Sequence, residues 1–222
     1  GQAVLDRLLA GEDCALVTDA GMPAISDPGE ELVKMAYEAG IEVTSLPGAC
    51  ACVTALTLSG LSTRRFVFEA FLPPDKKEHK LALERLKNET RTMIVYEAPH
   101  HLLKTLRELL ETLGNRRLTL CRELTKKHET AWQTTIEDAI TRYEQEDPKG
   151  ECVLVIEGRS QKEIEDEAKA AFEEISIEEH MKRYEDQGIA RKEAMKLVAK
   201  DRGVTKRDIY QYLLGKESYN DF

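Results

Sequence analysis

The chain has 222 residues, of which 41% are hydrophobic, and it carries a formal net charge of −9 and five scattered cysteines. That length is enough for one large domain or two modest ones around a buried core. The acidic charge disfavours generic binding to nucleic acid, because such binding depends on neutralising phosphates. The cysteines are odd in number and lack metal-ligand spacing, which argues against a disulfide framework or a zinc site. Together with the absence of an apolar run of ~18 residues, they favour a cytoplasmic protein with reduced thiols and no membrane span.

The first 158 residues alternate between strand-like and helix-like segments, starting from an amphipathic helix at the N-terminus. The predicted helices cover 1–10, 29–39, 49–60, 76–89, 99–113 and 137–146. The predicted strands cover 14–18, 42–46, 66–72, 92–97, 117–124, 129–136 and 151–158. This alternation with tight Gly/Pro junctions is typical of parallel α/β architecture, whereas the short spacing between 117–124 and 129–136 predicts an antiparallel pair and a mixed sheet.

After Gly158 the sequence becomes highly charged and nearly all helical, with helices predicted near 161–174, 176–187, 190–201 and 205–214. We therefore expect three parts. A first α/β domain with a parallel-rich sheet covers 1–73, a second α/β domain with a mixed sheet covers 74–159, and a small helical extension covers 160–222.

Three junctions at the ends of predicted strands have unusual chemistry: "VTDAGMPAISDPG" (17–29), "LPGACAC" (46–52) and "YEAPHH" (96–101). In a parallel α/β sheet, ligands bind beyond the carboxyl ends of the strands. Small residues let a ligand approach the backbone, and a helix N-terminus favours a carboxylate or phosphate. The three junctions together predict one shared pocket. The sequence has neither a GxGxxG motif nor a P-loop, which disfavours a dinucleotide fold or an NTPase.

Each junction also has an ordinary structural explanation. Asp19 could close an Asx turn, and Pro47-Gly48 could be a plain turn before a helix. Within the first junction we expect Asp19 to face a ligand. We expect Ser26 or Asp27 to cap the helix that Pro28 starts.

The stretches "VTDAGMPAISDPG", "LPGACACVTALTLSGL", "FVFEAFLP", "YEAPHHL", "CRELTKKHE" and "GECVLVIEG" occur in this order and spacing. In this pattern the chain closely resembles the ribosomal RNA small subunit methyltransferase I family. That family is a branch of the tetrapyrrole-methylase-like (class III) S-adenosylmethionine-dependent methyltransferases. The resemblance is strong over 1–158, and the helical tail fits the family's C-terminal extension. The "DAGxPxISDPG" stretch separates this branch from tetrapyrrole and diphthine methylases, which carry a GDP-type loop there.

The resemblance implies a two-domain α/β fold that holds S-adenosyl-L-methionine in a cleft and releases S-adenosyl-L-homocysteine. It implies methylation of the ribose 2′-oxygen of a cytidine in 16S ribosomal RNA, presented free or in the assembled 30S subunit, by a homodimer. Carried over by position, the donor-binding residues are Asp19, Ala20, Gly21, Met22, Cys50, Ala51, Tyr96, Ala98, Cys152 and Val153. Cys50 stands where the family usually has Ser or Asn, which weakens one polar contact to the donor.

A ribose hydroxyl is a poor nucleophile, so the reaction needs a base or a cation that lowers the hydroxyl pKa. The candidate catalytic residues are Glu123, Glu97, Lys126 and His100, with Arg122 and His128 beside them, and Glu123 is the preferred base. The residues expected to bind RNA are Arg116, Arg117, Arg122, Lys126, Lys127, Lys206 and Arg207. The ordinary alternative for "RELTKKHE" is a solvated strand edge on which lysines discourage aggregation, and a histidine such as His100 is more often a surface residue.

The family normally begins with a strand and a "PIGN"-type loop that precede the first residue of this sequence. If that segment is truly absent, we expect the chain to bind S-adenosylmethionine weakly and to be inactive. Micromolar affinity in a calorimetric titration would contradict that expectation. Two other functions stay open. The chain could methylate a tetrapyrrole or another small molecule, or it could be an inactive fragment whose helical tail binds a partner.

Overall fold

The structure is a computed structural model that describes residues 1–217, apart from the side chains of Ala168, Glu173 and residues 215–217. The chain divides into two compact units, Gly1–Gly158 and Arg159–Phe222. The further division of the first unit near residue 73 stays a prediction.

The first unit contains helices packed on a sheet. Its helices are α1 (Gln2–Leu9), α2 (Glu30–Glu38), α3 (Ala51–Ser59), α4 (Lys76–Lys87), α5 (Leu102–Leu113) and α6 (Ile136–Tyr143). Its strands are β1 (Phe66–Phe71), β2 (Thr92–Glu97), β3 (Arg117–Arg122), β4 (Thr130–Thr135) and β5 (Cys152–Ile156). Each of these elements lies within three residues of the ends predicted from the sequence.

The strands form one mixed sheet in the order β1-β2-β5-β3-β4. β1 and β2 are parallel, and the remaining neighbours are antiparallel. The mixed sheet and the antiparallel pair of β3 with β4 agree with the prediction from the sequence. Successive residues of a strand face opposite sides of the sheet, so β2 contributes to two cores. Met93 and Val95 join the core under α4, α5 and α6. Ile94 joins the smaller core under α3, together with Cys52 and Leu56.

The predicted parallel-rich first sheet is not formed within residues 1–217, and this expectation was wrong. The segments 14–18 and 42–46 run as irregular chain, with Val17 and Leu46 left 79% and 84% exposed. A strand needs partners for its backbone N–H and C=O groups, and an apolar run cannot reveal whether a neighbour is present. The strand predicted at 66–72 does form, but it pairs with β2.

The second unit is helical, as predicted, and comprises α7 (Gln161–Glu173), α8 (Ile177–Glu185), α9 (Arg191–Arg202) and α10 (Lys206–Glu217). Ser160 caps α7 in a capping box with Glu163, which satisfies backbone donors at the helix start. Its core gathers Met181, Ala194, Val198, Ala199 and Ile209. Across the described residues, every helix is too short or too polar to cross a lipid bilayer.

Candidate functional site

A cleft of about 360 Å³ opens in the first unit where the three unusual junctions meet. This volume lies in the range of small-molecule sites. The wall also includes the turn after β3 and the start of β5. The lining residues are 19–22, 25–27, 49–51, Thr54, Phe71, Tyr96, 124–126 and 151–153.

Most residues expected to hold the methyl donor lie in this wall. Nine of the ten line the cleft, namely Asp19, Ala20, Gly21, Met22, Cys50, Ala51, Tyr96, Cys152 and Val153. Ala98 is outside the lining, in the turn before α5, where its N–H donates to Glu97 Oε1 (2.7 Å). Sequence reasoning missed Phe71. Strand β1 runs parallel to β2 with Phe71 in register with Tyr96, so both aromatic residues end at the same edge.

The first junction packs closely against the second at Gly21, which has no side chain. Gly21 has φ +81°, and a Cβ there would lie 3.2 Å from the Ala49 carbonyl oxygen. Thr18 Oγ1 donates to the Gly21 carbonyl (3.1 Å) and tightens the turn. Ala24 and Ser26 have φ values of +63° and +64°, in the left-handed region that costs most residues about 1 kcal/mol. Strain of this kind clusters at binding sites.

The predicted capping of α2 was wrong. The N-cap of α2 is Gly29, and no side chain caps it. Gly29 has φ +148°, and a Cβ there would lie 2.6 Å from Leu16 Cδ2, so this glycine sets the entry into the helix. Ser26 and Asp27 line the cleft instead, so two carboxylates, those of Asp19 and Asp27, contribute to one wall.

The thiol of Cys50 and the phenol of Tyr96 line the cleft, and the thiol of Cys52 is buried in the core under α3. Cys50 Sγ lies 3.5 Å from Cys52 Sγ. Burial, above all other causes, raises the pKa of Cys52 to about 11 and also raises the pKa of the Tyr96 phenol. The Tyr96 ring makes edge contacts with Phe68 and Phe71 at centroid distances of 4.9 and 5.7 Å. Cys52 and Tyr96 therefore stay neutral near pH 7.

The turn after β3 contributes a lysine to the cleft wall. Lys126 lines the cleft, and its Nζ lies 3.0 Å from Glu123 Oε1. Glu123 lies outside the lining, with φ +51°, and packs so close to Gly150 that a Cβ there would lie 2.3 Å from Glu123 Oε1. Lys126 is thus the member of this ion pair that faces the cleft.

The structure argues against two predicted catalytic residues. Glu97 is 6% exposed and accepts hydrogen bonds from Thr105 Oγ1 (2.5 Å) and the Ala98 N–H (2.7 Å). Both its carboxylate oxygens are therefore used to hold the turn before α5. His100 is exposed beside His101 in the same turn, outside the cleft lining. Glu97 and His100 were predicted near the site because the sequence shows that the junction 96–101 follows a strand. It does not show the direction in which each side chain points.

The structure also argues against Arg116 as an RNA contact. Arg116 is 8% exposed and donates to the carbonyls of Leu113 (3.0 Å), Glu157 (3.3 Å) and Lys87 (3.2 Å). Arg117 is exposed and pairs with Glu157. Arg116 precedes β3 and Arg117 is its first residue, whereas the cleft lies beyond the C-terminal end of this strand.

The other predicted RNA contacts fall in three places. Arg122 ends β3, and its buried Nε has no hydrogen-bond partner within the described part of the chain. Its charge opposes the effect of burial on Cys152, whose pKa is nevertheless raised to about 12. Lys127, with His128, is exposed in the turn between β3 and β4. Lys206 and Arg207 lie in the first turn of α10, in the second unit.

Comparison with known proteins defines the class first. Residues 1–140 match the family described as Tetrapyrrole (Corrin/Porphyrin) Methylases. Among solved structures, the methyltransferase CobJ superposes with a TM-score of 0.56 at 18% identity, covering 71% of this chain and 69% of that one. The first unit thus has the tetrapyrrole methylase fold.

Curated relatives then define the branch. The chain is 48% identical to the "Ribosomal RNA small subunit methyltransferase I" of Halalkalibacterium halodurans, over 95% of this chain and 72% of the relative. It is 43% identical to the protein of that name from Synechocystis, over 98% of this chain and 76% of the relative. The chain belongs to the ribosomal RNA small subunit methyltransferase I family, which confirms the resemblance found in the sequence.

Proposed function

We propose that this chain is an S-adenosyl-L-methionine-dependent methyltransferase that acts on the ribose 2′-oxygen of a cytidine in small-subunit ribosomal RNA. The observation that carries the proposal is the cleft, because nine residues placed there by the family resemblance converge from separate parts of the chain. The names of the relatives supply the class of RNA, and the family resemblance supplies the cytidine 2′-oxygen.

The cleft residues fit the donor chemically. S-adenosylmethionine supplies an electrophilic methyl group on a positively charged sulfur. The carboxylates of Asp19 and Asp27 complement the positive charges of such a ligand. The small side chain of Ala51 leaves room at the first turn of α3, where free backbone N–H groups favour a carboxylate. Tyr96 and Phe71 offer ring faces or edges to an adenine.

Lys126 is the residue that we assign to the reacting hydroxyl. An ammonium beside a ribose hydroxyl stabilises the oxyanion that develops as the oxygen attacks. Glu123 holds that ammonium at 3.0 Å and is the nearest acceptor for a released proton. Replacing Lys126 with Met should lower kcat at least about tenfold while leaving donor affinity unchanged. Lys80, one of the exposed lysines of α4, gives the matched control Lys80→Met, which should leave kcat unchanged.

Recognition of the RNA is assigned to the other basic residues that the sequence predicted for it. We assign it to Arg117, Arg122, Lys126, Lys127, Lys206 and Arg207, and we leave out the buried Arg116. We also propose a cytoplasmic homodimer. The free thiols support the location, and the exposed apolar side chains of Val17 and Leu46 are of the kind that a subunit interface covers. Sedimentation velocity tests the dimer.

The decisive experiment follows a labelled methyl group from S-adenosylmethionine into unmethylated 30S subunits or, in parallel, into a tetrapyrrole. We expect label at a 2′-O-methylated cytidine of the ribosomal RNA. Asp19→Asn should lower kcat/KM at least about tenfold, whereas the exposed Asp13→Asn, outside the cleft, should not. Label in the tetrapyrrole alone contradicts the proposal, and label in neither favours the inactive fragment. A calorimetric titration with S-adenosyl-L-methionine tests donor binding separately from methyl transfer.

A further inference from the structure

A thiol of the cleft wall lies against a second thiol buried behind it, and the proposed methyl transfer uses neither as a reactant. Cys50 Sγ and Cys52 Sγ are 3.5 Å apart. Cys50 is half-buried and lines the cleft, whereas Cys52 is 4% exposed and lies behind it in the core under α3. The family resemblance implies Ser or Asn at the first of these positions, whereas this chain has Cys50.

The helix start places the two sulfurs on neighbouring positions. Cys50 is the N-cap of α3 in extended conformation, with φ −138° and ψ 113°, and Cys52 is in the first helical turn. The Cys50 carbonyl is fixed by hydrogen bonds from Thr54 N–H (3.0 Å) and Thr54 Oγ1 (2.9 Å). Residues two apart in such a turn have Cα atoms roughly 5–7 Å apart, which a disulfide can span. Its sulfurs must approach by about 1.5 Å from their present separation.

We propose that Cys50 and Cys52 are a reversible oxidation site, at which a hydroperoxide converts the two thiols to an intramolecular disulfide and thereby impairs the cleft. With hydrogen peroxide the step balances. Each thiol loses one proton and one electron, one S–S bond forms, and the O–O bond breaks to give two waters.

The two sulfurs have different tasks in this reaction. Cys50 lines the cleft and meets the oxidant first, so its sulfur attacks the peroxide oxygen and becomes a sulfenic acid. Cys52 then attacks the Cys50 sulfur and releases water. Burial raises the pKa of Cys52 to about 11, so this thiol is the less reactive of the two toward the peroxide. A disulfide closed over so short a loop is strained, and reductants reopen it readily.

Oxidation changes the wall that the donor contacts. The Cys50 sulfur must move toward the core to reach Cys52, and the N-cap of α3 must follow because Cys50 forms it. Ala51 lies between the two cysteines and also lines the cleft. Weakened donor binding is therefore the expected consequence, and this consequence rests on the proposed function.

Peptide mapping tests the disulfide directly. Trypsin cleaves after Lys34 and Arg64, so the peptide 35–64 contains Cys50 and Cys52 and no other cysteine. The remaining cysteines fall on the separate peptides 8–34, 118–122 and 150–159. After treatment with hydrogen peroxide and alkylation, we expect peptide 35–64 to have lost two hydrogens and to carry no alkyl group. Dithiothreitol should restore both alkylation sites.

Two matched variants separate this pair from general oxidation. Cys52→Ala and Cys121→Ala each remove one buried thiol from the same core under α3, but only Cys121→Ala keeps the pair. Peroxide should weaken the binding of S-adenosyl-L-homocysteine about tenfold in the wild type and in Cys121→Ala, reversibly, and should have no reversible effect in Cys52→Ala.

Two results overturn the proposal. One is a peptide 35–64 that keeps two alkylatable thiols when the exposed Cys14 is already oxidised. The other is a disulfide that forms and leaves the affinity for S-adenosyl-L-homocysteine unchanged. If the disulfide forms but the reduced protein does not bind S-adenosyl-L-homocysteine, the oxidation site stands and the proposed function fails.

Discussion

Substitution of Arg116 tests whether this buried charge stabilises the fold or binds RNA. It sits at the start of β3, nearly excluded from water, and its guanidinium donates to three backbone carbonyls from separate segments of the first unit. The variant Arg116→Met keeps most of the aliphatic stem but removes the charge and every donor. Its neighbour offers the matched control, because Arg117 is exposed and its guanidinium pairs with the side chain of Glu157.

The magnitude follows from the three carbonyl partners. A hydrogen bond from a charged donor contributes about 1.5–3 kcal/mol, and a buried acceptor left unpaired costs about 1–3 kcal/mol. Removing a buried charge also returns part of its desolvation penalty. We expect Arg116→Met to lower the free energy of unfolding by about 3 kcal/mol. With a urea m-value of about 2 kcal/mol/M, the midpoint falls by about 1.5 M. Arg117→Met should cost no more than about 1 kcal/mol.

The assay is urea unfolding followed by tryptophan fluorescence. The chain has a single tryptophan, Trp132 on β4, so the signal reports on the first unit. The Arg142 guanidinium lies 4.7 Å from its ring centroid and makes the emission sensitive to the packing of α6 on β4. At urea concentrations where Arg116→Met is folded, its affinity for ribosomal RNA should equal that of the wild type. A loss of stability below 1 kcal/mol combined with weakened RNA binding would refute the structural role.

Three further predictions address other parts of the molecule. Thr105→Val removes the hydroxyl that donates to buried Glu97 and should lower the free energy of unfolding by about 1–3 kcal/mol in thermal melts. Gly158→Ala would place a Cβ 2.3 Å from backbone atoms and should cost more than about 2 kcal/mol, whereas Gly40→Ala, with φ +72° and open space, should cost about 1 kcal/mol. Burial lowers the pKa of His180, so the unfolded state binds a proton first as the pH falls. The second unit should therefore lose stability between about pH 7 and pH 5, as measured by amide hydrogen exchange of α8 and α9. His180→Gln should remove that pH dependence, and a variant that kept it would contradict the assignment.

The sequence predicted those helices and strands whose ends are marked by local residue patterns. Glycines, prolines and helical spacing located the ends of α2 to α10, and the spacing of β3 and β4 predicted their pairing. The strand predictions at 14–18 and 42–46 were wrong because an apolar composition occurs in both paired and unpaired chain. Pairing is a property of neighbours distant in sequence, and no local pattern encodes it.

The sequence could predict which junctions form the candidate site. Tyr96 lies at the end of β2, and the junctions that carry Asp19 and Cys50 meet it in one cleft although no strand precedes them, so their composition pointed to the site. The failures were matters of side-chain burial. Arg116 and Glu97 are charged residues in promising stretches, yet both satisfy buried backbone groups. Only their packing distinguishes that task from contact with a substrate.

The position of β5 has a consequence for the order of assembly. It is the last strand of the sheet in the chain but occupies its middle, and β2 and β3 meet only through it. During synthesis, residues up to about 150 can form the parallel pair β1-β2 and the hairpin β3-β4 as two separate pieces with unpaired inner edges. Emergence of "CVLVI" (152–156) joins them in one step. The first unit thus completes its hydrogen-bonded core only after nearly all of its residues have left the ribosome.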